Sequence, residues 1–318
     1  MPATWSFNGT RTGASPASPF TQGGLWVPPY PNAERSAQAA EASGQQGFAS
    51  RVRRVAKQAR AVWFSNPTAP ADALSGRVVR IVREAAARDQ VPVLVVYAIP
   101  LRDCGGESGG GAASGAAYAA WIKAFIAGLK SGGVADGPGV AVILEPDALG
   151  QLDLLPAERQ AERTDLLRAA TSWLAEVPQV SVYLDGGHSG WIAPADMVQR
   201  LSSAGVSAAR GFSLNVSNYR RTEDEVAYGQ QLSPLLGWKA FVVDTSRNGN
   251  GHAAGQEWCN APGRALGPTP RPAPQPQVDA YLWVKPPGES DGSCQQGQPA
   301  AGEFWPAYAD ELARNAGW

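Results

Sequence analysis

Residues 140–147 read Val-Ala-Val-Ile-Leu-Glu-Pro-Asp, an apolar run that ends in two carboxylic acids. Such a run is typical of a strand that is buried on both faces of a parallel sheet. A segment with helical apolar spacing follows at 157–174, and a second apolar run follows at 180–184. This order indicates a βαβ unit, in which the two strands are parallel and the helix covers the sheet.

The same alternation extends over most of the chain. It predicts seven strands, at 61–64, 91–99, 140–144, 180–184, 211–216, 240–243 and 280–284. It predicts helices between most of them and at the end of the chain, at 72–87, 115–129, 157–174, 194–201, 223–236 and 304–314. Seven parallel strands in 318 residues favour one α/β domain, a closed TIM-like parallel β/α barrel, over an open sheet.

Two parts of the chain lack this alternation. Residues 1–35 are rich in Gly, Ser, Thr and Pro, so we expect an irregular N-terminal arm or the remnant of a linker, with the barrel domain at 36–318. Between residues 245 and 278 there is no helical pattern, and a long loop of this kind inside a compact domain is usually functional.

The composition excludes several classes of function. Lys and Arg total 27 against 28 Asp and Glu, so the formal net charge of −1 gives no electrostatic reason to expect nucleic acid or an anionic membrane as a partner. No apolar run approaches the ~20 residues of a membrane span. The histidines are His188 and His252, and there is no Cys-x-x-Cys pair, so we expect no metal and no cofactor. The 11 tryptophans instead predict a surface that stacks on flat, uncharged ligands.

Aspartates follow four of the predicted strands. In a parallel barrel the carboxyl ends of the strands meet at one face, where the loops build the active site. Asp103, Asp147, Asp185 and Asp244 each follow a different strand, so we expect them on the same rim. Carboxylates that crowd together raise the pKa of at least one of them, as a general acid near neutral pH requires.

Tryptophans lie near the same strand ends. Trp63, Trp191 and Trp258 fall at or just after strands, in loops rather than on helix faces. One such tryptophan is more often a core residue, but three on a rim of aspartates favour a platform for sugar rings. Aspartates and tryptophans without metal ligands point to glycoside hydrolysis. Rival chemistries lack their motifs, since there is no Gly-x-Ser-x-Gly elbow and no P-loop.

The three cysteines allow one disulfide and one leftover thiol. We pair Cys259 with Cys294, which closes a loop of ~35 residues and contributes about 3–4 kcal/mol in the chain-entropy model. The alternative, three reduced and buried thiols, stays open on composition alone.

Seven motifs in order resemble those of glycoside hydrolase family 6 cellulases. They lie at 97–104, 144–147, 183–191, 215–219, 244–251, 257–260 and 283–292, so the resemblance covers residues 60–318. It implies a distorted barrel and the inverting cleavage of β-1,4-glucan.

The resemblance also implies roles for individual residues. Asp147 looks like the proton donor to the leaving oxygen, and Asp103 looks like the neighbour that keeps Asp147 protonated and helps to position water. Asp244 matches the position most often proposed as the catalytic base, Asp185 lies in the motif that supports the acid, and Tyr97 crowds the distorted sugar. The residues that resemble substrate-binding positions are Trp63, Trp191, Trp258, Asn215, Lys285, Glu289, His188 and Ser108. For Asp185 and Lys285 the alternative is a mutual ion pair at the strand ends.

The chain departs from the family pattern near the first aspartate. Family members usually place a cysteine shortly after the acid motif, where it bonds the cysteine that follows the first aspartate. Residues 151–155 contain no cysteine here, so we expect Cys104 to be unpaired and the loop that holds Asp103 to be less restrained.

The loop lengths predict the mode of attack. Processive family members cover the cleft with two long insertions, whereas here 147–185 is almost filled by one helix and the segment after Gly292 is short. The resulting open groove favours an endoglucanase, with a cellobiohydrolase and a catalytically inactive glucan-binding barrel as alternatives. We expect a secreted monomer that acts on cellulose or a related β-1,4-glucan, in a sequence from which any signal peptide is absent.

Overall fold

The structure is a computed structural model that describes residues 18–21, 23–253 and 258–318. The helices in this part of the chain are α1 (Pro31–Ala42), α2 (Gln46–Ala56), α3 (Ala71–Ala86), α4 (Gly115–Ser131), α5 (Ala157–Ala175), α6 (Pro194–Ser203), α7 (Thr222–Leu235) and α8 (Pro306–Asn315). The strands are β1 (Gly24–Leu25), β2 (Val62–Phe64), β3 (Gln90–Val91), β4 (Val93–Val96), β5 (Val140–Leu144), β6 (Val180–Asp185), β7 (Gly211–Leu214), β8 (Ala240–Asp244), β9 (Arg271–Pro272) and β10 (Val278–Leu282).

Seven strands form the parallel sheet that the sequence predicts, in the order β2-β4-β5-β6-β7-β8-β10. An eighth, β9, pairs antiparallel with β10 at the edge, and two residues are too few to give a periodic signal. The amide of Ala61, next to β2, donates to the carbonyl of Trp283, next to β10, at 2.9 Å. The sheet is therefore curled, with its first and last parallel strands close together. The α/β fold class and the single distorted barrel domain are confirmed.

The predicted strand at 91–99 is two short strands. Pro92 separates β3 from β4, because proline has no N–H to donate to a ladder. β3 pairs with β1 in a separate parallel pair, so residues 24–25 of the N-terminal segment pack against the barrel. Residues 97–99 follow β4 as a loop.

The helices α1 and α2 lack a counterpart in the predicted pattern. α1 begins at Pro31, so residues 31–35 of the expected irregular arm are helical. The buried side chains of α1 are alanines, which carry little hydrophobic signal, and they pack against Ala49 and Val52 of α2. The remainder of the arm at 1–17, and Gln22, lie outside the described residues.

The strands are apolar on both faces, because one face packs on helices and the other fills the barrel. In β4, Leu94 and Val96 belong to the layer between sheet and helices, whereas Val93 and Val95 point into the barrel. This packing fixes the strand ends and the loops that follow them. Among the described helices, none combines the length and the apolar character needed to cross a membrane.

Candidate active site

A cleft of about 850 Å³ lies over the carboxyl ends of the strands. Ten of the predicted site residues line it: Trp63, Tyr97, Asp103, Ser108, Asp147, His188, Trp191, Trp258, Lys285 and Glu289. Asp185, Asp244 and Asn215 are buried and are not among the described lining residues. Two of the four rim aspartates therefore face the cleft and two lie inside its wall.

Asp147 has the environment of a carboxyl that stays protonated. Burial raises the pKa of Asp147 well above its usual value, and the negative charge of Asp185 raises that pKa further. Asp103 and Asp291 act in the same direction on the pKa, against a lowering effect of Lys285. Its backbone is in the left-handed region, with φ of 67°, at the sharp turn that follows β5. A carboxylic acid that lines a cleft with a raised pKa can donate a proton near neutral pH.

Asp185 holds the backbone of Asp147. Its Oδ2 accepts hydrogen bonds from the amide of Asp147 at 2.9 Å and from the amide of Gly187 at 3.0 Å, and its Oδ1 accepts one from the hydroxyl of Ser213 at 3.1 Å. Burial raises the pKa of Asp185 to about 7.

Lys285 has other partners than Asp185. Its ammonium pairs with Asp291 at 3.2 Å and donates to the carbonyl of Ser290 at 2.9 Å. The alternative of an ion pair between Asp185 and Lys285 is therefore wrong.

Asp103 lies on the loop after β4. Its Oδ2 accepts from the amide of Ser108 at 2.8 Å, and its Oδ1 accepts from the side-chain amide of Gln151 at 2.9 Å. Ser108 therefore orients Asp103 through its backbone, and it also lines the cleft. Each carboxylate oxygen retains a lone pair for water or substrate.

Asp244 is fully buried at the end of β8. Its Oδ1 accepts from the amides of Ser246 at 2.9 Å and Val284 at 3.2 Å, and its Oδ2 accepts from the amides of Ser217 and Lys285, both at 3.0 Å. Burial raises the pKa of Asp244, although these amides oppose the shift. Four backbone donors from three loops occupy its oxygens, so the side chain ties strand ends together rather than facing the cleft.

Asn215 is also turned away from the cleft. Its Nδ2 donates to the carbonyls of Asp244 at 2.8 Å and Arg220 at 3.1 Å, while its Oδ1 accepts from the amide of Arg220 at 3.0 Å. These bonds occupy the amide group that we expected to bind a sugar hydroxyl. Asn215 has a φ of 65°, which closes the turn after β7.

Aromatic rings line the cleft. The indole N–H of Trp63 donates to the carbonyl of Val284 at 2.8 Å, and the ring stands perpendicular to Tyr97, with ring centroids 5.2 Å apart. Trp191 and Trp258 are exposed by 36% and 54%, which leaves ring surface free for a ligand. Burial raises the pKa of Tyr97, so this phenol stays neutral.

His188 is neutral near pH 7. Burial lowers the pKa of His188 to about 4, and the charge of Arg220 contributes to that lower pKa. Its Nδ1 accepts a hydrogen bond from the amide of Gly190 at 3.2 Å, and its ring lies 5.5 Å from that of Trp191. A neutral imidazole in this position suits hydrogen bonding to an uncharged ligand.

Glu289 is the one acid among the predicted sugar-binding residues, and it lies on the lining of the cleft. Burial raises the pKa of Glu289 to about 7, and the charges of Lys285 and Arg60 limit that rise in pKa.

Asp291 is a residue of the site to which we assigned no role from the sequence. It accepts hydrogen bonds from Arg247 at 2.7 Å and from the hydroxyl of Tyr219 at 3.3 Å, and it pairs with Lys285. Burial disfavours its charge, but Arg247 and Lys285 hold the pKa of Asp291 below its usual value. Asp291 is the second acid after the last strand, and its position within the motif at 283–292 was the signal that could have identified it.

A disulfide joins Cys259 to Cys294, as predicted, and Cys104 is a free thiol. The bond ties the long loop before β9, which carries Trp258, to the loop after β10. Glu257, in the motif at 257–260, lies outside the described residues.

Carboxylic acids and indole rings around a cleft, at the carboxyl face of a β/α barrel, are typical of the class of barrel proteins that bind and cleave polysaccharides. A family model described as glycosyl hydrolases family 6 matches residues 20–316, and the chain belongs to this family.

Similar proteins agree with this assignment. Endoglucanase A of Cellulomonas fimi is 43% identical over 301 residues, which are 94% of this chain and 63% of that protein, so the chain spans less than two thirds of this relative. Endoglucanase 1 of Streptomyces sp. (strain KSM-9) is 46% identical over 268 residues, or 82% of this chain and 70% of that protein. The structure of the endoglucanase Cel6 from Mycobacterium tuberculosis, in complex with methyl-cellobiosyl-4-deoxy-4-thio-β-D-cellobioside, matches with a TM-score of 0.88 and 41% identity, over 95% of this chain and 100% of that one.

Proposed function

We propose that this protein is an inverting endo-β-1,4-glucanase that hydrolyses internal bonds of cellulose or a related β-1,4-glucan. The observation that carries the proposal is Asp147, a carboxyl on the cleft lining whose pKa is raised by burial and by neighbouring carboxylates. All three similar proteins are named endoglucanases, and the third was solved with methyl-cellobiosyl-4-deoxy-4-thio-β-D-cellobioside.

In this mechanism Asp147 protonates the glycosidic oxygen as the bond from C1 to that oxygen breaks. A water molecule attacks C1 from the opposite face of the sugar, which inverts the anomeric configuration. We assign acceptance of the water's proton to Asp103, because its carboxylate lines the cleft and each oxygen accepts one protein hydrogen bond. Asp244 is less suited to that role, because its oxygens already accept four amide hydrogen bonds.

A neutral sugar polymer fits the rest of the lining. Exposed indole rings of Trp191 and Trp258 offer flat apolar surfaces to the C–H faces of glucose units. Lys285 and Glu289 supply a donor and an acceptor for hydroxyl groups on the same lining, and the neutral imidazole of His188 adds a third polar contact.

An open cleft supports internal attack. The segment between Asp147 and Asp185 contains the 19-residue helix α5 and little further chain. A polymer can therefore enter sideways rather than by threading its end. The alternative to internal attack is the exo action of a cellobiohydrolase. A catalytically inactive glucan-binding barrel is the weaker alternative, since Asp103 and Asp147 are both present on the lining.

The mode of attack is tested on carboxymethylcellulose, by recording viscosity and reducing ends on the same samples. We expect viscosity to fall well before reducing ends accumulate. Asp147→Asn, purified in parallel, controls for contaminating cellulase. Cellobiose as the dominant early product would contradict endo action, and binding without turnover would favour the inactive barrel.

We further propose that the protein acts as a secreted monomer. The disulfide between Cys259 and Cys294 supports an oxidising compartment, because such bonds are rare in reducing cytosol. Size-exclusion chromatography with light scattering tests the oligomeric state. A mass of twice the chain would contradict the monomer.

A further inference from the structure

Arg163 lies in the second turn of α5 and is 2% exposed. Its guanidinium makes no ion pair within the described part of the chain. An arginine that is buried without a carboxylate is costly unless neutral acceptors satisfy its donors. The acceptors of Arg163 therefore indicate which parts of the chain this residue holds in place.

The acceptors of Arg163 belong to the two loops that carry Asp103 and Asp147. Its Nη2 donates to the carbonyl of Leu101 at 2.7 Å and to that of Pro100 at 3.2 Å, on the loop after β4. Its Nη1 donates to the carbonyl of Ala148 at 3.3 Å, directly after Asp147. One rigid, planar group thus links the backbones of both loops.

The same guanidinium lies near the thiol of Cys104. Nη1 is 3.9 Å from its Sγ, and that sulfur is also 3.9 Å from the carbonyl of Gln151. Gln151 in turn donates from its side chain to Asp103. The loop that we expected to be less restrained without a second disulfide is therefore held by hydrogen bonds.

The loop needs such restraint because its backbone is strained. Leu101, Asp103 and Cys104 have φ values of 56°, 56° and 47°, and Asp147 has a φ of 67°. Aspartate tolerates this left-handed region, but Leu101 and Cys104 adopt it only when surrounding contacts hold them there. The carbonyl of Leu101, which accepts the shortest hydrogen bond from Arg163, belongs to one of these residues.

We propose that Arg163 is a positioning residue that sets the placement of Asp103 relative to Asp147. The expected effect of Arg163 on the reaction rate rests on the proposed function, whereas its restraint of the loop does not. Asp103 raises the pKa of Asp147, so a displaced Asp103 lets Asp147 lose its proton at lower pH.

The experiment compares Arg163→Met and Arg163→Lys with Thr171→Val. Thr171 lies about two turns further along α5, is fully buried, and donates to the carbonyls of Leu167 at 2.7 Å and Ala204 at 3.3 Å. Its replacement therefore removes a buried hydrogen bond from the same helix without touching either loop. Arg163→Lys keeps one charged donor group and can reach some of the carbonyls.

Hydrogen exchange measured by mass spectrometry is the first readout. We expect faster exchange at residues 100–108 in Arg163→Met, an intermediate rate in Arg163→Lys, and the wild-type rate in Thr171→Val. Wild-type exchange in both Arg163 variants would overturn the proposal, and this readout needs no substrate.

The pH dependence of kcat is the second readout. We expect kcat of Arg163→Met to fall by about 10²-fold with KM little changed, since small displacements of catalytic groups cost that much. The alkaline limb of the pH profile of kcat should move to lower pH in Arg163→Met and stay in place in Thr171→Val. Faster exchange with an unmoved limb would overturn the positioning role. Absence of glucanase activity in the wild type would instead remove the proposed function and leave the exchange comparison decisive.

Discussion

Replacing Asp147 with asparagine tests whether its carboxyl group supplies the catalytic proton. Asparagine matches the shape of aspartate and tolerates the left-handed φ of 67° at this position, so the turn after β5 should survive. The variant lacks the carboxyl whose pKa is raised by burial and by Asp185 and Asp103. General acid catalysis contributes ~10²–10⁴-fold to rate, which corresponds to about 2.7–5.4 kcal/mol of transition-state stabilisation.

The assay uses two substrates that differ in their need for a proton. On a cellulose derivative, whose leaving group is an alcohol, Asp147→Asn should lose the full ~10²–10⁴-fold. On a dinitrophenyl cellobioside, whose leaving group departs as a stable anion, the loss should be much smaller. Asp153→Asn is the matched control, because Asp153 lies close in sequence, its side chain is 69% exposed and it pairs with Arg200 at 2.5 Å. Equal losses on the two substrates would refute the assignment of Asp147 as the acid.

Trp258 and Trp238 are both 54% exposed, and the first of them lines the cleft. Trp258→Ala should raise KM on soluble β-glucan about 2–10-fold, as expected for the loss of an aromatic contact of ~0.5–1.5 kcal/mol. An equal rise in KM for Trp238→Ala would contradict the role of Trp258 as a platform for sugar rings. Asp103→Asn removes a negative charge that raises the pKa of Asp147, so the alkaline limb of the pH profile of kcat should move to lower pH. An unmoved limb would show that Asp103 does not influence the pKa of Asp147. Cys259→Ser opens a 35-residue loop and should lower the free energy of unfolding by about 3–4 kcal/mol in urea titrations, whereas an unchanged midpoint would assign no stabilisation to the disulfide.

The sheet could be predicted from the sequence because its strands are short, apolar on both faces and bounded by polar turns. β5 has the predicted bounds, since Val140–Leu144 is an uninterrupted apolar run next to two acids. The rule that parallel strands end at one face then brought most of the candidate residues to one cleft.

The direction of each side chain beyond the strand ends could not be predicted in this way. Alternation between faces holds only while the backbone stays extended, and Glu145 and Asp147 have φ values of 50° and 67°. The burial of Asp244 depends on amides at 217, 246, 284 and 285, which are brought together by the fold rather than by spacing.

Two further features carry weak sequence signals. The buried face of α1 consists of Ala33, Ala37 and Ala40, and alanine contributes little to a hydrophobic pattern. Arg163 belongs to a helix with several other charged residues, and the sequence alone does not distinguish a buried arginine from solvated ones.

The stereochemistry of the wild-type reaction tests the central claim most directly. Proton NMR of cellohexaose digests, recorded within the first minutes, reports the anomer that is released before mutarotation. Water attack opposite the group protonated by Asp147 predicts that the new reducing ends appear first as the α-anomer. Initial release of the β-anomer would contradict the mechanism proposed for this cleft.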